Sequence, residues 1–303
     1  MGNAFNILIN GKAGTVLNLG QPAIESAVES SGIALKELCF SEPDDMEANL
    51  KRFSEDEAPL LVGGGDGTLL SSAEYLSKHT QKAFGVLPFG TMNLLAKDLS
   101  INTLSEALTA YAGEFEETAM DAGFVNGHMF LCCASIGTMP QASVYREKNR
   151  GTNIMLLIPQ LFFFVIDNFE KRKSERIVLD IDGKMTKFRS PAVVVSINRF
   201  ADSTLLTQNN FKRVSLQGGE LAAYISTTKT RASHLRFVTS LLFGHWLKDP
   251  DLKEIFAKKI KLWSGHKKQL VSIDGEVVKM PTPLEFTLKA RHVHLLVPKG
   301  AHI

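Results

Sequence analysis

Residues 60–70 read Leu60-Leu61-Val62-Gly63-Gly64-Gly65-Asp66-Gly67-Thr68-Leu69-Leu70. A short apolar run enters a glycine cluster, and Leu69, Leu70, Ala73 and Leu76 then recur at helical spacing. The pattern predicts a buried strand, a tight loop and a helix over residues 69–78. Glycines let a backbone take positive φ and come within hydrogen-bonding distance of a bulky anion. The first-turn amides of the following helix face the same space, and the helix dipole favours negative charge there. A phosphate-binding loop is the physical reading, although a glycine cluster also serves as a plain turn. Asp66 would repel phosphate on its own. It fits if it holds a divalent cation or the water around one.

Outward from this loop, strand and helix patterns alternate. Phe5–Ile9, Leu35–Phe40, Leu60–Val62 and Ala83–Leu87 read as strands. Helices are predicted over residues 22–31, 43–53, 69–78, near 92–98 and over 103–112. Such alternation predicts a doubly wound parallel sheet with helices on both faces. After about Met120 the rhythm changes to β-rich segments at 128–134, 176–182, 185–197, 221–226, 260–264, 268–273, 277–279, 284–289 and 293–297. Helical patterns intrude at 152–170 and 232–246. A second, mainly antiparallel domain is predicted, with the boundary near residue 122 and no flexible tether.

Bulk properties exclude several classes. The chain has 303 residues, 44% of them hydrophobic, and a formal net charge of +2. That charge is too small to point to nucleic acid. Cys39, Cys132 and Cys133 form no CxxC pair, and adjacent strand cysteines point to opposite faces, so a reducing compartment is expected. The longest apolar run, residues 154–166, is broken by Pro159 and Gln160 and falls short of the ~20 residues a membrane span needs. The N-terminus has no signal-peptide pattern. A soluble or peripheral protein is expected.

Gly64-Gly65-Asp66-Gly67-Thr68 resembles the signature shared by diacylglycerol kinases, sphingosine kinases, NAD kinases and, more remotely, phosphofructokinases. Three further segments resemble the diacylglycerol kinase and sphingosine kinase family, in its bacterial form. Ile9-Asn10-Gly11-Lys12-Ala13-Gly14-Thr15 stands where that family has an Asn-Pro-x-x-Gly turn. Pro88-Phe89-Gly90-Thr91-Met92-Asn93 resembles its Pro-x-Gly-Thr-x-Asn, and Ala96–Leu99 continues the likeness. Asp274-Gly275-Glu276 resembles its C-terminal Asp-Gly-Glu. NAD kinases lack this last element and carry an Asn-Glu pair not found here. On residue pattern alone, Asp274-Gly275 is also a strong hairpin-turn signal. Asp274 and Glu276, two apart, would share a face of a strand.

The resemblance implies a nucleotide-binding α/β domain (residues 1–122, with a strand returning at about 290–303) and a β-sandwich-like lipid-substrate domain (residues 123–289). It implies an ATP- and Mg2+-dependent lipid kinase whose active site lies between the two. Gly64, Gly65, Gly67 and Thr68 would cradle phosphates, and Asn10, Lys12, Thr91 and Asn93 would hold the nucleotide. Asp66 and Glu276 would hold magnesium, and Asp274 would take the proton of the acceptor hydroxyl. The implied partners are a lipid with a free hydroxyl and a peripheral membrane surface, in the cytoplasm. The sequence leaves a homodimer open. Residues 156–165, with Lys171, Arg172 and Lys173 beyond them, would either wall a lipid slot or form a plain core helix.

The pattern also has departures. Leu70 and Ser71 replace an Asn-Glu pair after the glycine loop. Gln217 and Gly218 stand where an Asp-Asp-Gly-x-Leu element binds a structural magnesium in some bacterial members. A second metal is therefore in doubt, and two other readings stay open. One is an NAD kinase-like activity, and the other is a nucleotide- or lipid-binding protein without catalysis. His292 and His294 share a strand face but lack an identifiable third metal ligand.

Overall fold

Strand β1 (Phe5–Asn10) is buried from Phe5 through Ile9, the signature of a strand covered on both faces. In the computed structural model, which describes residues 4–140, 174–202, 211–242 and 244–301, it is an inner strand of a parallel sheet. Two compact units divide the chain, one of Met1–Met120 with Arg291–Ile303 and one of Asp121–Ala290.

The first unit runs β1, α1 (Gly14–Leu19), α2 (Gln21–Ser30), β2 (Leu35–Ser41), α3 (Met46–Ser54), β3 (Leu60–Gly64), α4 (Asp66–His79), β4 (Phe84–Pro88), α5 (Leu94–Asp98) and α6 (Leu104–Ala112). Pro22 sits in the first turn of α2, where its missing N–H costs nothing. Ile24 and Val28 point inward, and Gly32 follows the helix at φ 77°. On α3, Leu50 and Phe53 supply the buried stripe. Strands β2, β1, β3 and β4 are neighbours in that order, all parallel. The last part of β16 (Leu284–Pro298) adds beside β4, pairing Leu295 with Phe84. The chain leaves β1 for β2 on one side and returns to β3 on the other. That reversal opens the crevice in which doubly wound sheets bind ligands, beyond the carboxyl ends of β1 and β3. Tyr111 of α6 ties the sheet together. Its buried hydroxyl accepts the Val86 N–H (2.9 Å) and donates to the Leu296 carbonyl (3.1 Å).

The second unit is antiparallel. It takes the end of β5 (Phe115–Val125), then β6 (His128–Phe130), β7 (Cys133–Gly137), β8 (Glu175–Ile181), β9 (Lys184–Ser190), β10 (Ala192–Ile197) and β11 (Leu221–Ser226). Helix α7 (Arg231–Leu242) follows, then β12 (Leu252–Ala257), β13 (Lys259–Ser264), β14 (Lys268–Ile273), β15 (Glu276–Pro281) and the first part of β16. One sheet has the order β12-β11-β10-β7-β14-β15. Elsewhere in the unit β9, β8, β13 and β16 pair in series, and β5 pairs with β6. Trp246 packs on Tyr224 and Phe200 with ring centroids 5.2 and 5.7 Å away.

Several elements differ from expectation. Pro191 splits the single strand expected at 185–197 into β9 and β10, because proline cannot donate to a ladder. The strands expected at 284–289 and 293–297 are one strand, which passes Arg291 at φ 50°. Strands β5 and β12 and helix α1 lacked a readable pattern. The expected helix at 152–170, the apolar run 154–166 and Lys171, Arg172 and Lys173 lie outside the described residues. All three cysteines are free thiols. Among the described residues no helix is long and apolar enough to cross a membrane.

Candidate functional site

In the first unit the glycine loop connects β3 to α4, which begins three residues earlier than the hydrophobic pattern alone suggested. Asp66 opens α4, and its first intrahelical bond runs from the Leu69 N–H to the Gly65 carbonyl (3.0 Å). The N–H groups of Gly67 and Thr68 therefore have no partner within the helix, as at any helix start. The glycines are demanded by close packing. A Cβ on Gly64 would sit 2.4 Å from Thr68 Cβ. A Cβ on Gly90 would sit 2.6 Å from the Gly65 Cα and 2.7 Å from Asn93 Oδ1. The two loops touch backbone to backbone.

Asn10, Asp66 and Asn93, among the residues expected to hold nucleotide or magnesium, bond between or within these loops. Asn10, at the end of β1, donates from Nδ2 to Thr68 Oγ1 (2.9 Å) and accepts the Lys12 N–H at Oδ1 (2.9 Å). Thr68 accepts there, so its own O–H remains a donor. Asn93, left-handed at φ 49°, accepts the Gly90 N–H (2.7 Å) and donates to the Gly90 carbonyl (2.9 Å). Asp66 Oδ1 accepts the Leu94 N–H (2.7 Å), latching α5 to the start of α4. The Thr15 N–H donates to the Phe89 carbonyl (3.2 Å), so the first loop joins the same network. Lys12 pairs with Glu42 at 3.2 Å on the surface, and Thr91 is exposed.

Lys97 was not singled out from the sequence beyond its place in the Ala96–Leu99 likeness. It lies on α5, four residues after Asn93. Burial pushes its ammonium below the usual lysine range, against the pull of the Asp66 and Asp98 carboxylates. A half-buried cation beside Asp66 makes this end of the sheet receptive to anions as well as to a cation–anion pair.

The Asp274-Gly275-Glu276 segment lies in the second unit. Asp274 and Gly275 form the two-residue turn between β14 and β15, with φ 45° and 98°, and Ile273 pairs with Glu276 across it. The hairpin-turn reading of this segment therefore holds. The expectation that Asp274 and Glu276 share a strand face does not hold. A left-handed turn separates them, leaving Asp274 buried and Glu276 exposed. The Asp274 carboxylate accepts three backbone N–H groups, from Leu131 at Oδ2 (2.6 Å) and from Cys132 and Cys133 at Oδ1 (3.0 and 2.9 Å). Buried Arg213, which sequence reading missed, takes the other side of this segment, donating from Nη1 to the Leu131 carbonyl (2.6 Å). No charge pattern in the sequence marks Arg213. Glu276 is exposed, and among the described residues its side chain makes no hydrogen bond or ion pair. His294 pairs with Glu117 at 3.0 Å. Among the described residues no three His, Cys, Asp or Glu side chains cluster as a metal site.

A parallel sheet with a glycine loop at its switch point is joined in sequence to an antiparallel sheet unit, and comparison with known proteins makes the architecture specific. Residues 4–125 match the family model of the diacylglycerol kinase catalytic domain. A diacylglycerol kinase of Staphylococcus carnosus (strain TM300) is 21% identical, over 92% of this chain and 89% of that protein. A diacylglycerol kinase of Staphylococcus aureus (strain JH9) is 26% identical, over 79% of this chain and 74% of that one. Among solved structures, a diacylglycerol kinase from Bacillus anthracis (strain Sterne) is 16% identical, with a TM-score of 0.68 and 99% and 98% of the two chains covered. Another structure from that organism reaches a TM-score of 0.74 at 18% identity over 98% of each chain. These structural likenesses concern the fold. Residues 4–125 thus carry a likeness to the diacylglycerol kinase catalytic domain, and the chain is similar to bacterial diacylglycerol kinases over most of its length, which supports a kinase function.

Proposed function

We propose that the protein transfers the γ-phosphoryl group of ATP to the hydroxyl of a diacylglycerol-like lipid. The observation that carries the reading is the β3–α4 loop. Gly63 and Gly64 are packed too closely for a side chain, the loop opens a helix N-terminus at the switch point, and it is latched by Asn10, Asp66 and Asn93. The N–H groups of Gly65, Gly67 and Thr68, with the loop from Gly64, meet the phosphates. Lys12, Thr91 and Lys97 supply further donors. Asn10 and Asn93 act by fixing the loops.

A nucleotide-bound magnesium ion fits such a site, because Mg2+ keeps several waters and takes few protein carboxylates beside phosphate oxygens. Asp66 is the residue of the first unit that would hold it, and it would neutralise charge on the transferring group. The proton of the acceptor hydroxyl needs a base with an open lone pair within reach. Asp274, first assigned that role, has three of its roughly four lone-pair sites occupied by amide N–H groups. The role therefore passes to Glu276, and Asp274 positions it. The acceptor oxygen forms its bond to the γ-phosphorus, the bond to the β-phosphate oxygen breaks, ADP departs, and Glu276 carries the proton. Lipid acceptors reside in bilayers, so the enzyme works at a membrane surface.

The test is purified protein with labelled ATP, magnesium and a panel of lipid hydroxyls in mixed micelles, with NAD in a parallel tube. Label in one lipid is the expected result. Label in NAD alone moves the activity to a soluble nucleotide acceptor. ATP binding without transfer to any acceptor, lipid extracts included, overturns the assignment in favour of a binding protein.

A further inference from the structure

The structural magnesium of some bacterial relatives does not fit this chain. We infer that the loop Leu216–Glu220 is held instead by a protein-only lock, in which the Asn198 side chain takes the ion's place. Asp121 is buried, and its Oδ2 accepts the N–H of Gly219 (2.8 Å) and of Asn198 Nδ2 (3.1 Å). Asn198, also buried, accepts the Glu220 N–H at Oδ1 (3.2 Å), while its backbone N–H donates to the Glu220 carbonyl (2.8 Å). The Asp121 N–H closes the ring by donating to the Leu216 carbonyl (2.9 Å). The loop is thus tied by four hydrogen bonds to two Asx residues on other strands or strand ends, and a fifth joins those two residues to each other.

Steric evidence makes the two solutions exclusive. A Cβ at Gly218 would meet Asn198 Oδ1 at 2.7 Å and Cγ at 3.0 Å. The carboxylate that a metal-binding loop carries at this position would need the space Asn198 fills. Gly219 takes φ 70°, a conformation that suits glycine. The loop's remaining acid, Glu220, is paired with Arg199 at 3.4 Å. One buried carboxylate whose Oδ2 already accepts two N–H donors is a poor cation site, since Mg2+ requires near-octahedral oxygen donors. Asn198 supplies what an ion cannot, a donor to Asp121 and an acceptor for the loop amide at once.

The experiment uses the full chain without nucleotide. Protein is stripped with chelator, and thermal unfolding is followed with and without magnesium while bound metal is quantified. The same Tm in both conditions and no retained metal are expected. Asn198→Ala removes both side-chain bonds, and Asn198→Asp keeps the shape but sets a carboxylate against Asp121. Each is expected to lower Tm by several degrees. A saturable rise of wild-type Tm with magnesium that Asp121→Asn abolishes would overturn the inference. So would wild-type Tm in both Asn198 variants. A magnesium effect lost in Asp66→Asn but kept in Asp121→Asn belongs to the phosphate loop and leaves the lock standing.

Discussion

Replacing Asp274 by Asn separates the two acidic residues of the C-terminal motif. Asparagine tolerates the left-handed turn at φ 45°. It keeps one oxygen, which satisfies Cys132 and Cys133, but turns its NH2 toward the Leu131 N–H that now donates to Oδ2 at 2.6 Å. One charge-assisted bond becomes a donor facing a donor, and the other two weaken. Bonds to charged groups contribute about 1.5–3 kcal/mol and a stranded buried donor costs about 1–3 kcal/mol. With partial relaxation the loss is about 2–4 kcal/mol, which at about 2 °C per kcal/mol for a chain of this size lowers Tm by about 4–8 °C.

Glu276→Gln is the partner experiment. Glu276 is exposed and makes no contact that folding needs, so its removal should change stability by less than about 0.5 kcal/mol. If it is the base, turnover falls by about 10²–10⁴. Urea unfolding and initial-rate phosphorylation on the same preparations decide the matter. Asp274→Asn at wild-type stability would refute the anchoring role. Glu276→Gln at wild-type turnover would refute the catalytic one.

Three other outcomes test the frame of the first unit. Gly90→Ala forces a methyl against the Gly65 backbone at 2.6 Å, so it should cost about 1–3 kcal/mol and weaken nucleotide binding, read by titration calorimetry. Tyr111→Phe strands the buried Val86 N–H that its oxygen now accepts at 2.9 Å, so a loss of about 1–3 kcal/mol is expected in denaturant titration. Asp56 is held down to about 2 by its bonds to Lys36 and the Ala58 N–H. Its folded value lies below its ordinary one, so its contribution is present above about pH 4 and is lost as pH falls toward about 2. Asp56→Asn should flatten acid unfolding across that window, and an unchanged acid profile would remove the group from the account.

The parallel half of the fold was legible because its strands are short, apolar and punctuated by glycine or proline. β1, β3 and β4 are buried along nearly their whole length, so the run of apolar residues in each is the strand itself. Helix α1 escaped notice because its GTVLNL offers one turn and a half with a single buried residue, Val16. Strand β5 begins Phe115-Glu116-Glu117-Thr118, half exposed and acidic, which reads as loop until Met120. Strand β12 carries Lys253 and Glu254 in its middle and is covered on little of its length. In each case burial comes from a distant partner, and no local period records it. The glycine loop was legible for the opposite reason, since its geometry is enforced by contacts among Gly64, Thr68, Gly65 and Gly90 within a short stretch.

What the sequence left open was the division of labour among motif residues. Asn10, Asp66, Asn93 and Asp274 all belong to motifs whose resemblance implies contact with nucleotide, metal or substrate. Each also closes a hydrogen bond to a neighbouring loop or strand segment. Short polar side chains suit that task, because they bond to nearby backbone and tolerate left-handed turns. A motif letter therefore does not distinguish a residue that touches the ligand from one that shapes the loop touching it. The distinction is energetic. A shaping residue changes unfolding free energy and ligand affinity together when removed, and a touching residue changes affinity or turnover alone. By that criterion Asn93→Ala, which breaks two bonds to Gly90 at 2.7 and 2.9 Å, should lower Tm and nucleotide affinity in step. Thr91→Ala, at an exposed position, should lower affinity with Tm unchanged. Calorimetric titration with a non-hydrolysable ATP analogue, read beside thermal unfolding, would show the pattern. An Asn93→Ala protein with full stability and lost affinity would return that residue to the ligand and void the criterion.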